Sequence, residues 1–258
     1  MRGDTMRSFY LAAGGTGFAF LMTVLGAVFV FCFRSQMSDR VSRLCFGFSG
    51  GVMSAAAVFS LLLPAAEQVR ASGGSPMLVT ALGFSLGAGL MLLLDALLSG
   101  AQALGGDEAH RKRMLLVSAV TLHNIPEGMA VGLSFALAAQ GDAASLAGAC
   151  ALALGIGVQN IPEGAAIALP LWRSGMSRRR SFALGALSGA VEPLAGLLAV
   201  LLMALAAQAM PMLMCISAGA MMFVVFAEML PEAGVGRDGT LAAALGYVIM
   251  MALDIGLG

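Results

Sequence analysis

His123-Asn124-Ile125-Pro126-Glu127-Gly128 and, 36 residues further on, Gln159-Asn160-Ile161-Pro162-Glu163-Gly164 decide how this chain is read. Both stretches lie inside apolar runs long enough to cross a bilayer. Each therefore puts a carboxylate, a prolyl ring and a polar amide where such groups are costly. An ionisable residue at mid-membrane marks a functional site by default. The shared string N-I-P-E-G is polar and helix-disturbing, so its recurrence is not a by-product of hydrophobic composition.

Working outward, the chain of 258 residues is 59% hydrophobic and 11% charged, with a mean hydropathy of +0.92. Soluble proteins carry roughly 25% charged residues, so a soluble globular fold is excluded. Repeated apolar stretches predict an all-α polytopic membrane protein. A single transmembrane domain fills residues 1–258, and no basic patch of useful size offers a nucleic-acid surface. Cys32, Cys45, Cys150 and Cys215 show no C-x-x-C spacing and read as packing residues. The run from Phe9 to Phe33 is too long for a signal-peptide core and reads as a first membrane helix.

The predicted spans are 8–33, 44–66, 76–100, 114–139, 144–172, 181–207, 210–232 and 238–257, joined by short loops. Eleven of the fourteen basic residues fall in the odd-numbered loops: Arg34, Arg40, Arg43, Arg111, Lys112, Arg113, Arg173, Arg178, Arg179, Arg180 and Arg237. Arg2, Arg7 and Arg70 lie on the other side. The positive-inside rule then places the odd loops in the cytoplasm and both termini outside, in a cell (inner) membrane. A repeat supports this layout. Phe59 to Ala66 and Phe226 to Ala233 share the frame F-x-x-x-L-P-x-A, and Leu94-Asp95 is echoed by Leu253-Asp254. The second and seventh spans run in opposite directions, so the halves are inverted in a 3 + 2 + 3 plan. Inverted repeats with a midplane site are a recurrent transporter design.

Chemistry follows from spacing. His123 and Glu127, four apart, stack on one helix face; Gln159 and Glu163 repeat that spacing, with Asn160 beside them. Glu192 adds a third carboxylate, followed by Pro193. One imidazole nitrogen with several oxygens suits Zn2+, Fe2+, Mn2+ and similar ions. Spans four to six contain no lysine or arginine, so a dication or protons must neutralise the clustered acids. Pro126 withholds a donor from the Leu122 carbonyl and Pro162 from that of Val158, leaving each to find another partner. A structural His–Glu hydrogen bond is the plainer alternative for one motif alone. Asp95 and Glu228 are candidates for an exit site, against the alternative of solvated helix-end acids. Glu67, Glu232 and Asp254 read as interfacial, and His110 as part of a plain cytoplasmic tether.

On these residues the chain resembles the ZIP (Zrt/Irt-like) metal transporters, in their bacterial GufA-type branch. The likeness covers eight spans, H-N-x-P-E-G, x-N-x-P-E-G and the V-E-P of Val191-Glu192-Pro193. It implies a two-metal centre halfway across the membrane. His123, Glu127, Gln159 and Glu163 would hold one metal; Asn124, Asn160 and Glu192 the adjoining one, with Glu127 and Glu163 bridging. Met53 or Ser54 would contribute to the first. Some relatives have Asp where Asn160 stands, and some a His where Ala227 stands. The resemblance further implies uptake of a divalent metal by alternating access, no organic cofactor, and a homodimer packed through small-residue helices such as Gly83 to Gly89. Two rivals remain: an intramembrane zinc metalloenzyme, though no H-E-x-x-H occurs, and a proton-coupled organic-solute transporter.

Protons compete with metal for imidazole and carboxylate ligands, so zinc affinity is expected to fall between about pH 7 and pH 5. A pH series of zinc titrations checks this, and a flat profile contradicts it.

Overall fold

In an apolar solvent every backbone N–H and C=O needs an internal partner, and the helix supplies one within a single segment. The computed structural model describes the backbone of residues 2–32, 38–103, 108–139, 143–234 and 236–257, and the described residues form helices and short turns without strand. Eight helices are long and apolar enough to cross a membrane. They are α1 (Met6–Phe31), α2 (Asp39–Ala71), α3 (Pro76–Leu97), α4 (Arg113–Ala138), α5 (Leu146–Arg173), α6 (Arg178–Leu201), α7 (Gln208–Ala233) and α8 (Arg237–Gly256).

Local sequence explains where they begin, end and widen. The hydroxyls of Ser38 and Ser177 accept from the backbone N–H of Val41 and Arg180, capping α2 and α6. Gly175 and Gly234, at φ 92° and 72°, turn the chain after α5 and α7 through a region closed to most side chains. α6 stops at Leu201, earlier than the 207 expected, a break that the all-apolar run through Leu202 does not signal in sequence. Inside α2 and α7 the ladder widens into π turns at Ala57–Leu62 and Val225–Met229. Leu63 N–H reaches back five residues to Val58, and Leu230 N–H to Val225, each immediately before a proline. The wider turn accommodates the prolyl ring that would otherwise clash with the preceding turn. Both copies of F-x-x-x-L-P thus share the same irregularity.

Packing carries the repeat into three dimensions. α1 packs on α5 and α4 on α6; α2 packs on α8 and α3 on α7. Exchanging α1 with α6, α2 with α7, α3 with α8 and α4 with α5 turns each of these pairs into another. One group of four (α1, α4, α5, α6) meets the other (α2, α3, α7, α8) chiefly where α4 lies on α7 and α5 on α2, again a symmetric pair. The odd connections share one end. Arg40 bridges to Asp238 at 2.9 Å, Arg173 to Asp39 at 3.5 Å, and Arg113 donates to the Ser174 carbonyl at 3.2 Å. Arg34 and the side chains of Arg2 and Lys112 lie outside the described residues.

Glycine sets the closeness of these crossings. A Cβ on Gly219 of α7 would run into the Phe84 carbonyl of α3, and one on Gly87 of α3 into the Ile216 carbonyl of α7. The small residues of α3 are therefore partly committed inside the subunit: Gly83 also faces α7, at Cys215 and Met212, and is not free for a second copy.

Gly219→Val is expected to force α3 and α7 apart and destabilise the protein by roughly 1–3 kcal/mol. Gly14→Val, where nothing lies within 4 Å, should be near neutral. Thermal unfolding of the two detergent-purified variants checks the contrast.

Candidate metal centre

α4 and α5, the helices that carry the two N-I-P-E-G prolines, are held by their neighbours close to those prolines. α4 continues through Pro126, and the Leu122 carbonyl it deprives receives the Ser217 hydroxyl of α7 at 3.0 Å. Two residues past Pro126, Gly128 lies against the Glu192 backbone of α6, leaving no room for a Cβ. Its repeat partner Gly164 lies against the Thr23 backbone of α1 in the same way. These contacts bring α4, α5 and α6 close enough for their polar side chains to meet. They also make Thr23 the pseudo-symmetric counterpart of Glu192.

His123, Glu127 and Glu163 converge, each under 4% exposed. His123 Nε2 is 3.2 Å from Glu127 Oε1 and 3.3 Å from Glu163 Oε2. One ligand atom from each residue lies within 4.8 Å of the others. A tetrahedral zinc with arms of about 2.0–2.1 Å has ligand-to-ligand edges of about 3.3–3.4 Å, so the two His–Glu separations already match an ion's coordination edge. Gln159 stands against this group, its Nε2 donating to Glu127 Oε1 at 2.5 Å.

Asn124, Asn160 and Glu192 form the adjoining set. Asn124 Nδ2 donates to the Ser188 carbonyl at 3.0 Å. Asn160 Nδ2 donates to the Ala19 carbonyl at 3.2 Å and to Glu192 Oε1 at 2.9 Å. Thr23 Oγ1 adds a donor to the same carboxylate oxygen at 3.3 Å. Both asparagines thus spend their N–H groups on neighbouring acceptors. Asn124 Oδ1, Asn160 Oδ1, Glu127 Oε2, both Glu163 oxygens and Glu192 Oε2 are buried and meet no donor among the described residues. Among the described residues both His123 nitrogens lack a hydrogen-bond partner as well; buried polar atoms are normally paired, and a set this rich in acceptors is complementary to a cation.

Access comes from one side. A cavity of about 490 Å³ has Glu127, Ser60 and Asp254 in its wall and runs past Leu133, Met210 and Met214 to Gln68 and Leu137, at the end opposite Arg40, Arg113 and Arg173. A second cavity of about 240 Å³ at the arginine end is lined by Arg113, Arg173, Ser174, Glu228 and Glu232. The two share no lining residue.

The sequence expectations divide accordingly. His123, Glu127, Gln159 and Glu163 are brought together, with Asn124, Asn160 and Glu192 next to them. Met53 is buried among apolar side chains, and Ser54 turns back to the Gly50 carbonyl of its own helix at 2.7 Å. The α2 residue that reaches the centre is Ser60, 3.1 Å from Gln159 Oε1. A π turn lies between Ser54 and Pro64, which regular helical spacing does not anticipate. Asp95 is engaged by Arg111, and Glu228 lines the cavity at the arginine end, whose wall does not include Asp95. Asp254, expected at the interface, is half-buried with Oδ1 on the Ser60 hydroxyl at 2.8 Å. Its repeat with Asp95 was the available signal. Thr23 and Ser217 carried none, being single hydroxyls in apolar runs. His110 is exposed.

Residues 106–254 match the family model described as ZIP zinc transporter. The chain is 38% identical to "Zinc transporter GufA" of Myxococcus xanthus, over 92% of this chain and 94% of that one. It is 38% identical to "Zinc transporter ZIPB" of Bordetella bronchiseptica (96% and 82%) and 33% identical to human "Zinc transporter ZIP11" (97% and 98%).

Glu163→Gln keeps the shape but removes a charge, and is expected to weaken Cd2+ or Zn2+ binding by at least ~10–100-fold. Calorimetric titration of the purified chain reads this directly.

Proposed function

The chain belongs to the ZIP zinc transporter family, and from that premise we propose that it moves Zn2+ through the membrane by alternating access at the His123–Glu127–Glu163 centre. The observation that carries the reading is that cluster itself: three ion-binding side chains, buried among apolar helices, beside a cavity open toward one end. A permanently filled structural zinc site would favour thiolates; imidazole, carboxylates and amides suit an ion that must leave again.

His123, Glu127, Gln159 and Glu163 form the primary position. Asn124, Asn160 and Glu192 form the adjoining one, with Glu127 and Glu163 bridging. The donor set also admits Fe2+, Mn2+ and Cd2+. Ions arrive through the larger cavity. They leave toward the arginine-bearing end, which the charge bias assigns to the cytoplasm, making the protein an importer of the cell membrane with outward termini. The four helices α1, α4, α5 and α6 carry the centre, and displacement of this group against α2, α3, α7 and α8 closes one cavity and opens the other, as inverted repeats allow. A homodimer fits the exposed outer surface of α3, of which only 17% is buried. The metalloenzyme and organic-solute readings are not favoured, since relatives matched along nearly their whole length are named zinc transporters.

Proteoliposomes containing the wild-type chain are expected to take up 65Zn2+ saturably, and Glu127→Ala to abolish this uptake. No uptake by the wild type, or undiminished uptake by the variant, overturns the reading.

A further inference from the structure

Ser60 stands between two acceptors. Its hydroxyl oxygen is 2.8 Å from Asp254 Oδ1 and 3.1 Å from Gln159 Oε1. A hydroxyl has one proton and two lone pairs, so it can donate to one neighbour only and must accept from the other. The carboxylate contact is the shorter and is charge-assisted, so Asp254 takes the proton. The lone pairs of Ser60 then face Gln159, and only the amide nitrogen can satisfy them.

That requirement reaches the metal centre through the shape of the amide. Oxygen and nitrogen of a glutamine side chain are nearly isosteric, so half a turn about the last bond exchanges them without disturbing the packing. With Nε2 on Glu127 Oε1, the amide offers hydrogen to an atom that an ion needs. Turned over, it gives Nε2 to Ser60 and presents Oε1 to His123 and Glu127. Ser60 lies within the π turn of α2, Asp254 near the end of α8, and Gln159 is 2% exposed on α5. Side chains from three helices therefore fix one torsion.

We propose that Ser60 and Asp254 are positioning residues for Gln159: the hydroxyl, its proton drawn to Asp254, holds the Gln159 carbonyl oxygen toward the ion at His123, Glu127 and Glu163. The opposite orientation serves the part of the cycle in which Glu127 holds no ion. The inference rests on the reading of Gln159 as a ligand given above. Neither Ser60 nor Asp254 touches the ion in this role.

A double-mutant cycle separates this from a structural part or a part in admitting ions. Glu at position 159 offers two equivalent oxygens and has no orientation to be set, so Gln159→Glu removes the need for Ser60. Cd2+ titrations of the full-length purified chain are expected to show Ser60→Ala raising Kd roughly tenfold. Ser60→Thr, which keeps the hydroxyl, restores it to within about twofold, and in the Gln159→Glu background Ser60→Ala changes Kd by less than about twofold. An equal loss in both backgrounds, or no rescue by threonine, overturns the proposal and leaves the transport reading standing. Failure of the wild-type chain to bind Cd2+ overturns both.

Discussion

Three carboxylates, those of Glu127, Glu163 and Glu192, are buried in a bundle whose central helices supply neither lysine nor arginine. Among the described residues Glu127 and Glu163 share one ionic partner, His123, and Glu192 is met by the Thr23 hydroxyl and the Asn160 amide. Burial of unpaired charge is among the largest penalties a fold can carry, and in hydrocarbon no water offsets it. The apolar helices, the glycine crossings and the capped carbonyl of Leu122 keep these acids in one place. They do not neutralise them. Under the proposed transport reading a visiting cation would do so, which would tie the stability of the centre to its cargo.

The inverted repeat solves the geometric half of the problem. Two similar helices with similar kinks, run in opposite senses, bring Glu127 and Glu163 to the same level from opposite directions. The flanking groups repeat the arrangement down to the π turns before Pro64 and Pro231. Equivalent packing on the two sides also provides two closely matched arrangements of the same contacts, the physical requirement for a site that faces each side in turn.

Much of this was legible in the chain. Apolar run lengths pointed to the eight crossings, and the duplicated N-I-P-E-G string led directly to the cluster, because a carboxylate in such a run is too costly to keep without a charge to meet it. What stayed hidden depended on rotation about helix axes. Met53 and Ser60 both lie on α2; the family resemblance pointed to the first, whereas the π turn that contains Ser60 brings its hydroxyl to Gln159. Asp254 looked interfacial because it sits near a helix end, and only the neighbouring α2 turns it into part of the cavity wall. Thr23 could not be singled out without knowing which backbone Gly164 touches.

That last residue has a consequence of its own. The backbone of α1 at Thr23 occupies the place that α6 gives to Glu192, so the near-twofold belongs to the main chain and not to the charges. An acid at both places would make four negative groups, an even number that whole dications can match. With a threonine at one of them the number is three. If doubly charged ions neutralise the centre as proposed, an odd sum leaves a remainder of one for a proton, while the Thr23 hydroxyl and the Asn160 amide stabilise the Glu192 charge without cancelling it.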